Sequence, residues 1–120
     1  MNFRKLFLIA SAFVFLSSCA QLSSSKLYWG NYSNTLYNLK KNPNKATLVA
    51  HKSELQRIIE KSKELNILAP PGIQAELGFM YLNEGNKDLG IGLINSESET
   101  YPESKFFMSK IYQQVKTKRK

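Results

Sequence analysis

The chain has 120 residues, a formal net charge of +8, one cysteine and one histidine. A single cysteine excludes a disulfide within the monomer, and one imidazole excludes the histidine and cysteine clusters that bind transition metals. A chain of this length holds one small domain and is too short for two once its N-terminal segment is set aside.

The first eighteen residues have the organisation of an export signal. Arg4 and Lys5 precede an almost unbroken apolar run from Leu6 to Leu16. A membrane-spanning helix needs about 20 apolar residues, so this run is too short to span, and its length is typical of a secretory signal. We therefore expect residues 1–18 to be a signal peptide that is removed.

Cys19 ends the order Leu16-Ser17-Ser18-Cys19, which resembles the lipobox of bacterial lipoproteins. The resemblance implies a diacylglycerol thioether on Cys19, cleavage before it, and acylation of its new amine; no other cofactor is expected. An ordinary signal peptide followed by an incidental thiol is the alternative. Ala20 stands where an aspartate would signal inner-membrane retention. The resemblance thus implies a lipid anchor in the outer membrane, facing the periplasm, with residues 19–26 as lipidated cysteine and flexible tether.

The remaining residues, 27–120, predict one all-α domain of about five helices in antiparallel hairpins. The predicted helices run from Tyr28 to Leu39, from Ala46 to Leu65, from about Ile73 to Glu84, from about Lys87 to Glu99, and onward from near Pro102. Apolar residues recur at three- and four-residue steps, and proline, glycine and asparagine mark the boundaries. No stretch alternates with period two for long enough to demand a strand.

The third and fourth predicted helices carry a recognisable spacing. Its members are Leu77, Gly78, Tyr81, Gly90, Ile94 and Pro102. The first three match the Leu-Gly-x-x-Tyr core of a tetratricopeptide repeat, and the others fall where that repeat places its small, large and terminating residues. The two glycines should let the helices approach closely while the larger side chains fill the groove. Gln74 departs from the pattern, because the repeat often has a large aromatic there.

Three segments together resemble an uncharacterised bacterial lipoprotein family labelled domain of unknown function 4810. They are Tyr28-Trp29-Gly30-Asn31-Tyr32, the stretch from Pro70 to Gly78, and Tyr101-Pro102-Glu103-Ser104. The resemblance covers nearly all of the mature chain and implies a small lipoprotein with a repeat-like helical body. It also implies a gene neighbourhood that includes a lipoprotein related to the curli pore subunit, and therefore a role in envelope assembly or export. It implies no mechanism.

We expect no enzymatic activity, metal site or small-molecule substrate. His51 is predicted to lie at the surface or half-buried, with Glu54 as its one acidic neighbour about a turn away. Glu97, Glu99 and Glu103 could meet as a carboxylate group. Their position at a helix end and a proline turn predicts solvent exposure, whereas acid–base catalysis needs a shielded carboxyl with a raised pKa. The serines lack a base to activate them.

Tyr28, Trp29 and Tyr32 crowd the start of the domain, and three interpretations stay open for them. They could belong to the core and a helix cap, form a recognition patch for a protein partner, or rest at the membrane interface near the tether. Because three large rings cannot all enter one small core, one should point outward. We expect that one to be Tyr28.

Basic residues outnumber acidic ones by fifteen to nine after Arg4 and Lys5 are removed, and much of the excess lies in residues 116–120. This tail is either a solvated end or a contact for anionic lipid or an acidic partner. Export argues against nucleic acid. The leading hypothesis is a non-enzymatic adaptor or assembly lipoprotein with protein partners in the envelope. The alternative is a binding module for peptidoglycan or anionic envelope lipid.

Overall fold

The computed structural model describes residues 26–117, and within this range the protein consists of helices and turns without a strand. The five helices are α1 (Tyr32–Lys41), α2 (Lys45–Glu64), α3 (Ile73–Asn83), α4 (Lys87–Thr100) and α5 (Lys105–Thr117). The prediction of an all-α fold with about five helices is confirmed. The predicted signal peptide, the lipidation site Cys19 and the tail residues 118–120 lie outside the described residues.

The first helix begins four residues later than predicted. Gly30 takes a φ of +50°, a left-handed conformation that turns the chain before Tyr32. Tyr28 and Trp29 therefore precede the helix in a segment without regular secondary structure and do not belong to its first turn. An apolar spacing of three and four residues cannot reveal such a turn, because the turn depends on a single glycine.

The remaining boundaries follow local chemistry. Asn44 caps α2 by accepting a hydrogen bond from the backbone N–H of Thr47 at 3.0 Å, and the Thr47 hydroxyl accepts from the Asn44 N–H at 3.1 Å. This reciprocal pair satisfies two backbone donors at the helix start. Gly72 and Gly85 have φ values of +89° and +83°, so they can make the sharp turns before α3 and before α4.

Each helix packs on the one before it. The N-terminal segment 26–31, the turn 65–72 and the turn 101–104 share one end of the domain, because residues of all three line one cavity. We call this end the tether end. The core has two parts. The first contains Leu55, Ile58, Ile73 and Leu77, and the second contains Ala75, Ile94, Met108 and Ile111. Helix α3 supplies both parts and is thus the central element of the domain.

The helices α3 and α4 touch at Gly78 and Gly90. A Cβ atom built on Gly78 would lie 2.9 Å from the carbonyl oxygen of Gly90, and one built on Gly90 would lie 2.8 Å from that of Gly78. Leu77 and Ile94 are buried beside this crossing, and Tyr81 is half-buried. Pro102 opens a short 3-10 turn after α4. Of the residues that the repeat-like spacing singled out, Gly78, Gly90 and Ile94 meet at this crossing. Leu77 and Tyr81 instead pack toward α2, so the expectation that they fill the groove between α3 and α4 is wrong.

Candidate partner-binding surface

The aromatic residues that open the domain differ in what they contact. Tyr32 packs on the first part of the core, and Tyr28 is half-buried against the same residues. Trp29 is 43% exposed, with its ring 5.6 Å from the Tyr32 ring between centroids. The expectation that Tyr28 points outward is therefore wrong, and Trp29 is the outward member. The reason is a hydrogen bond between the Tyr28 hydroxyl and the Arg57 guanidinium at 2.5 Å.

Arg57 also binds Glu54 one turn earlier in α2. Its Nε donates to Glu54 Oε2 at 2.9 Å and its Nη2 donates to Glu54 Oε1 at 2.6 Å. The same Oε1 accepts the backbone N–H of Asn31 at 2.6 Å, at the point where the chain enters α1. The hydrogen bonds from Arg57 hold the pKa of Glu54 below its usual value, although its burial opposes this. Glu54 thus attaches the start of α1 to α2 as a carboxylate.

A second polar group crosses three helices. Tyr32 on α1 donates its hydroxyl proton to Glu76 Oε2 on α3 at 2.9 Å. The other carboxylate oxygen of Glu76 lies 2.9 Å from Nε2 of His51 on α2, and His51 Nδ1 lies 2.8 Å from the Thr35 hydroxyl on α1. Burial of Tyr32, together with its hydrogen bond to Glu76, raises the pKa of that phenol to about 12. We call these four residues the polar chain.

The sequence-based expectation for His51 is wrong, because its side chain is completely buried. His51 lies four residues before Leu55 and seven before Ile58, which places it in the buried stripe of α2. That spacing was the signal that could have identified it as an inward residue. Its acidic partner is Glu76, 25 residues away in the sequence, and not the neighbouring Glu54.

The number of protons available limits which hydrogen bonds the polar chain can form at one time. The Thr35 hydroxyl lies within hydrogen-bond distance of both His51 Nδ1 and the Tyr32 carbonyl, which it reaches at 3.0 Å, but it has only one proton. In a neutral imidazole both contacts of His51 are met when Nε2–H donates to Glu76 and Nδ1 accepts the hydroxyl proton of Thr35. A threonine, histidine and glutamate in series resemble a catalytic triad. Here the imidazole is fully buried and its contacts come from α1 and α3, so the arrangement connects three helices.

Glu97 is a second correction. It was expected in solvent, but its side chain is 2% exposed. One carboxylate oxygen accepts the backbone N–H of Gly72 at 2.7 Å, and the other lies 3.4 Å from the N–H of Ala75. Glu97 therefore caps the start of α3 from the neighbouring helix α4, where a negative charge is favourable. Glu99 and Glu103 are exposed, so the three carboxylates do not form one group.

Tyr81, part of the repeat-like motif, is held by residues of α2. Its hydroxyl accepts a hydrogen bond from the Gln56 side-chain amide at 2.7 Å. The Lys52 ammonium lies 4.0 Å from the centroid of the Tyr81 ring and also forms an ion pair with Glu84. A cation over an aromatic face is attracted by the ring quadrupole. Tyr81 thus links the hairpin of α3 and α4 to the preceding hairpin.

Exposed apolar side chains are numerous on this small body. Besides Trp29 they include Tyr37, Leu48, Val49, Leu65, Leu68, Phe79, Leu89, Phe106, Phe107 and Tyr112. A groove of about 180 Å³ lies between α3 and α5, and its lining includes Phe79, Leu82, Ile111 and Val115.

The positive charge of residues 19–120 is concentrated at the C-terminal end. Residues 105–120 contain six lysines and arginines and no acidic residue, whereas residues 19–104 contain nine basic and nine acidic residues. Helix α5 therefore begins a basic segment that follows an electrically balanced body. The exposed Phe106 in its first turn lies beneath the Lys110 ammonium, 5.2 Å from the ring centroid.

Residues 26–117 contain no cluster of three or more histidine, cysteine, aspartate or glutamate side chains placed to hold a metal ion. In the same range, no helix combines the length and apolar character needed to cross a membrane.

The sequence family of this small helical domain can be identified. The family described as Domain of unknown function (DUF4810) matches residues 27–111. This match covers most of the chain, so the protein belongs to that family, as the three sequence segments indicated. Comparison with curated proteins and with solved structures found no significant match.

Proposed function

We propose that this protein is a small lipoprotein of the outer membrane that acts as a non-enzymatic adaptor or assembly factor in an envelope complex. Cys19 would carry the lipid, and the helical domain would face the periplasm. The family resemblance makes a curli-pore-like lipoprotein a candidate member of the same complex. Anchoring would confine the domain to the membrane surface and so raise its concentration near other anchored proteins.

One observation carries the proposal: two candidate acid–base side chains are buried, whereas several large apolar side chains are exposed. His51 and Glu97 are enclosed and hydrogen-bonded to protein atoms. Trp29, in contrast, has much of its indole exposed on the surface. Catalysis would need the first set to reach solvent, whereas binding needs the second set to be exposed. Tryptophan is also among the residues that most often dominate binding energy at interfaces.

The partner surface can be tested with a matched pair of variants. Trp29→Ala should weaken co-purification of the partner from detergent-solubilised membranes, because it removes a large exposed ring. Tyr37→Ala is the control, since Tyr37 is also an exposed aromatic residue but lies in the middle of α1. Both variants should keep the helical content of the wild type. Equal capture by the Trp29→Ala variant and the wild type would contradict the proposed surface.

The anchor has its own test. Cys19→Ser should leave an uncut precursor or a soluble periplasmic product, because serine cannot form the thioether. Mass spectrometry of Cys19 in the wild type should find the acyl chains. Complete processing of the Cys19→Ser variant, together with its recovery in outer membranes, would contradict the lipid anchor.

The alternative function, binding to peptidoglycan or anionic envelope lipid, is favoured by the basic segment. Removing Lys118–Lys120 should then reduce sedimentation with purified cell wall or anionic vesicles, above all at low salt. Exposed charges are screened over about 10 Å at 0.1 M ionic strength, so the loss should shrink as salt is added. If the deletion instead abolishes capture of a protein partner at both low and high salt, the tail belongs to the adaptor surface.

A further inference from the structure

The tether end of the domain carries large apolar side chains that no helix covers. Leu68 is 58% exposed in the turn before α3, and Leu65 is 49% exposed where α2 ends. Phe106 and Phe107 are 74% and 61% exposed in the first turn of α5. We call these four residues the tether-end face.

Hydrogen bonding and packing hold this end of the domain together. The Tyr101 hydroxyl donates to the carbonyl oxygen of Ala69 at 2.7 Å, which joins the turn before α5 to the turn before α3. A cavity of about 360 Å³ lies beside this bond, lined by Leu27, Ile67, Leu68 and Tyr101 among others. Lys26 also lines it. The chain from the proposed lipid anchor therefore enters the domain at this end.

The length of that connection limits the orientation of the domain. Seven residue steps separate Cys19 from Lys26, and an extended chain spans at most about 3.3–3.6 Å per residue, so the tether reaches about 25 Å. Helix α2 has 20 residues and, at about 1.5 Å per residue, is roughly 30 Å long. A flexible chain of seven steps has an end-to-end distance of only about 15 Å on average, which is half the length of α2. The end of the domain that the tether enters therefore lies nearer the anchor, on average, than the opposite end does.

We propose that the tether-end face lies on the phospholipid bilayer and forms a second, non-covalent contact with the membrane. This inference rests on the proposed lipid anchor at Cys19. The anchor would hold four exposed apolar side chains within a short distance of lipid headgroups, where aromatic and aliphatic residues are favourable. Trp29 lies in segment 26–31 at the same end, so a protein partner that contacts Trp29 would bind beside the membrane and compete with lipid there. The contact would orient the remaining surface, including the groove between α3 and α5, toward the periplasm.

The experiment uses the full lipidated protein in vesicles of phosphatidylethanolamine and phosphatidylglycerol that contain a brominated phospholipid. Trp29 is the chain's single tryptophan, so Trp29→Phe provides a background without indole. Into this background we would introduce either Leu68→Trp at the tether end or Leu89→Trp in the first turn of α4, at the opposite end. Leu89 is a matched control because its exposure, 51%, is similar to that of Leu68. Phe106→Trp provides a second reporter on the proposed face.

We expect bromine to quench the indole at positions 68 and 106 strongly, with emission shifted to shorter wavelength, and to leave position 89 nearly unquenched. Helical content and flotation with the vesicles should match the background protein in each case. If the protein floats but positions 68 and 89 are quenched equally, the proposed orientation is wrong and the anchor stands. The same holds if the protein floats and positions 68 and 106 are not quenched. Failure of the background protein to float, with no lipid mass on Cys19, would overturn the proposed anchor and the orientation with it.

Discussion

Helix α1 packs on α2 and helix α4 packs on α3, but the two helices are attached in different ways. Helix α4 meets α3 at backbone distance through Gly78 and Gly90, and it buries Ile94 beside the crossing. Helix α1 has no fully buried residue. It is held by hydrogen bonds from Tyr32 and Thr35 to side chains of α3 and α2, and by the bond from Asn31 to Glu54. One contact depends on shape and the other on polar pairing.

The difference predicts how each contact responds to change. A close-packed crossing cannot accept added volume without moving a helix, since interiors are packed at nearly crystalline density. A polar contact tolerates small changes in volume but not the loss of a partner, because a buried group left without a hydrogen bond retains its desolvation cost. Substitutions at the crossing and in the polar chain should therefore fail for different reasons.

The largest effect is expected at the glycine crossing. Gly78→Leu should lower the free energy of unfolding by about 3 kcal/mol, because the new side chain must displace the Gly90 carbonyl and the side chains of Leu93 and Ile94. Urea denaturation followed by circular dichroism measures the change.

Gly92 is the matched control, since a Cβ built there meets no atom within 4 Å. Gly92→Ala should raise stability by about 0.4–1 kcal/mol, because alanine restricts the unfolded chain and favours a helix. An unchanged midpoint for Gly78→Leu would show that the helices separate easily and that the contrast with α1 is unfounded.

The next effect is expected in the polar chain. His51→Ala should cost about 2 kcal/mol, because it leaves a cavity and removes a hydrogen-bond partner from both Glu76 and Thr35. A double-mutant cycle with Glu76→Ala should give a coupling energy of about 0.5–3 kcal/mol, the range for residues in one network.

Lys61 and Glu64 are the control pair for this cycle, because they form an ion pair at 2.8 Å in which both side chains are exposed. Such pairs are screened by water and salt, so their coupling should be close to zero. If the two cycles give equal coupling, the polar chain contributes no more than a surface ion pair.

The same contrast explains what could be predicted from the sequence. The crossing is encoded locally: Leu77, Gly78 and Tyr81 lie within five residues, and Gly90 and Ile94 follow in the next helix. Helix periodicity and turn residues likewise predicted five helices. The family could be recognised from three short segments, because each segment is read along the chain without knowing which helices are in contact.

The polar contacts could not be predicted in the same way, because their partners are far apart in the sequence. His51 and Glu76 are separated by 25 residues, and Glu97 lies 25 residues from Gly72. Pairing them requires the relative rotation and register of two helices, which the periodicity of a single helix does not supply. The spacing did indicate that Glu97 is buried, because Glu97 lies three residues after Ile94 and so on the buried face of α4. It did not indicate which backbone groups Glu97 contacts.

The smallest effect tests a single bond of the polar chain. Tyr32→Phe removes the hydroxyl that donates to Glu76 and should lower stability by about 1 kcal/mol near pH 7, as is typical of one hydrogen bond. The pH dependence is more specific. Burial and the bond to Glu76 raise the pKa of Tyr32 from 10.0 to about 12, so the folded state favours the neutral phenol. Its stabilising contribution should be complete below pH 10 and should be lost as the pH rises toward 12. The difference in unfolding free energy between the wild type and Tyr32→Phe should therefore shrink over this window, whereas Tyr37→Phe, which removes an exposed hydroxyl, should match the wild type throughout. A difference that stays constant up to pH 12 would show that the Tyr32 hydroxyl does not attach α1 to α3.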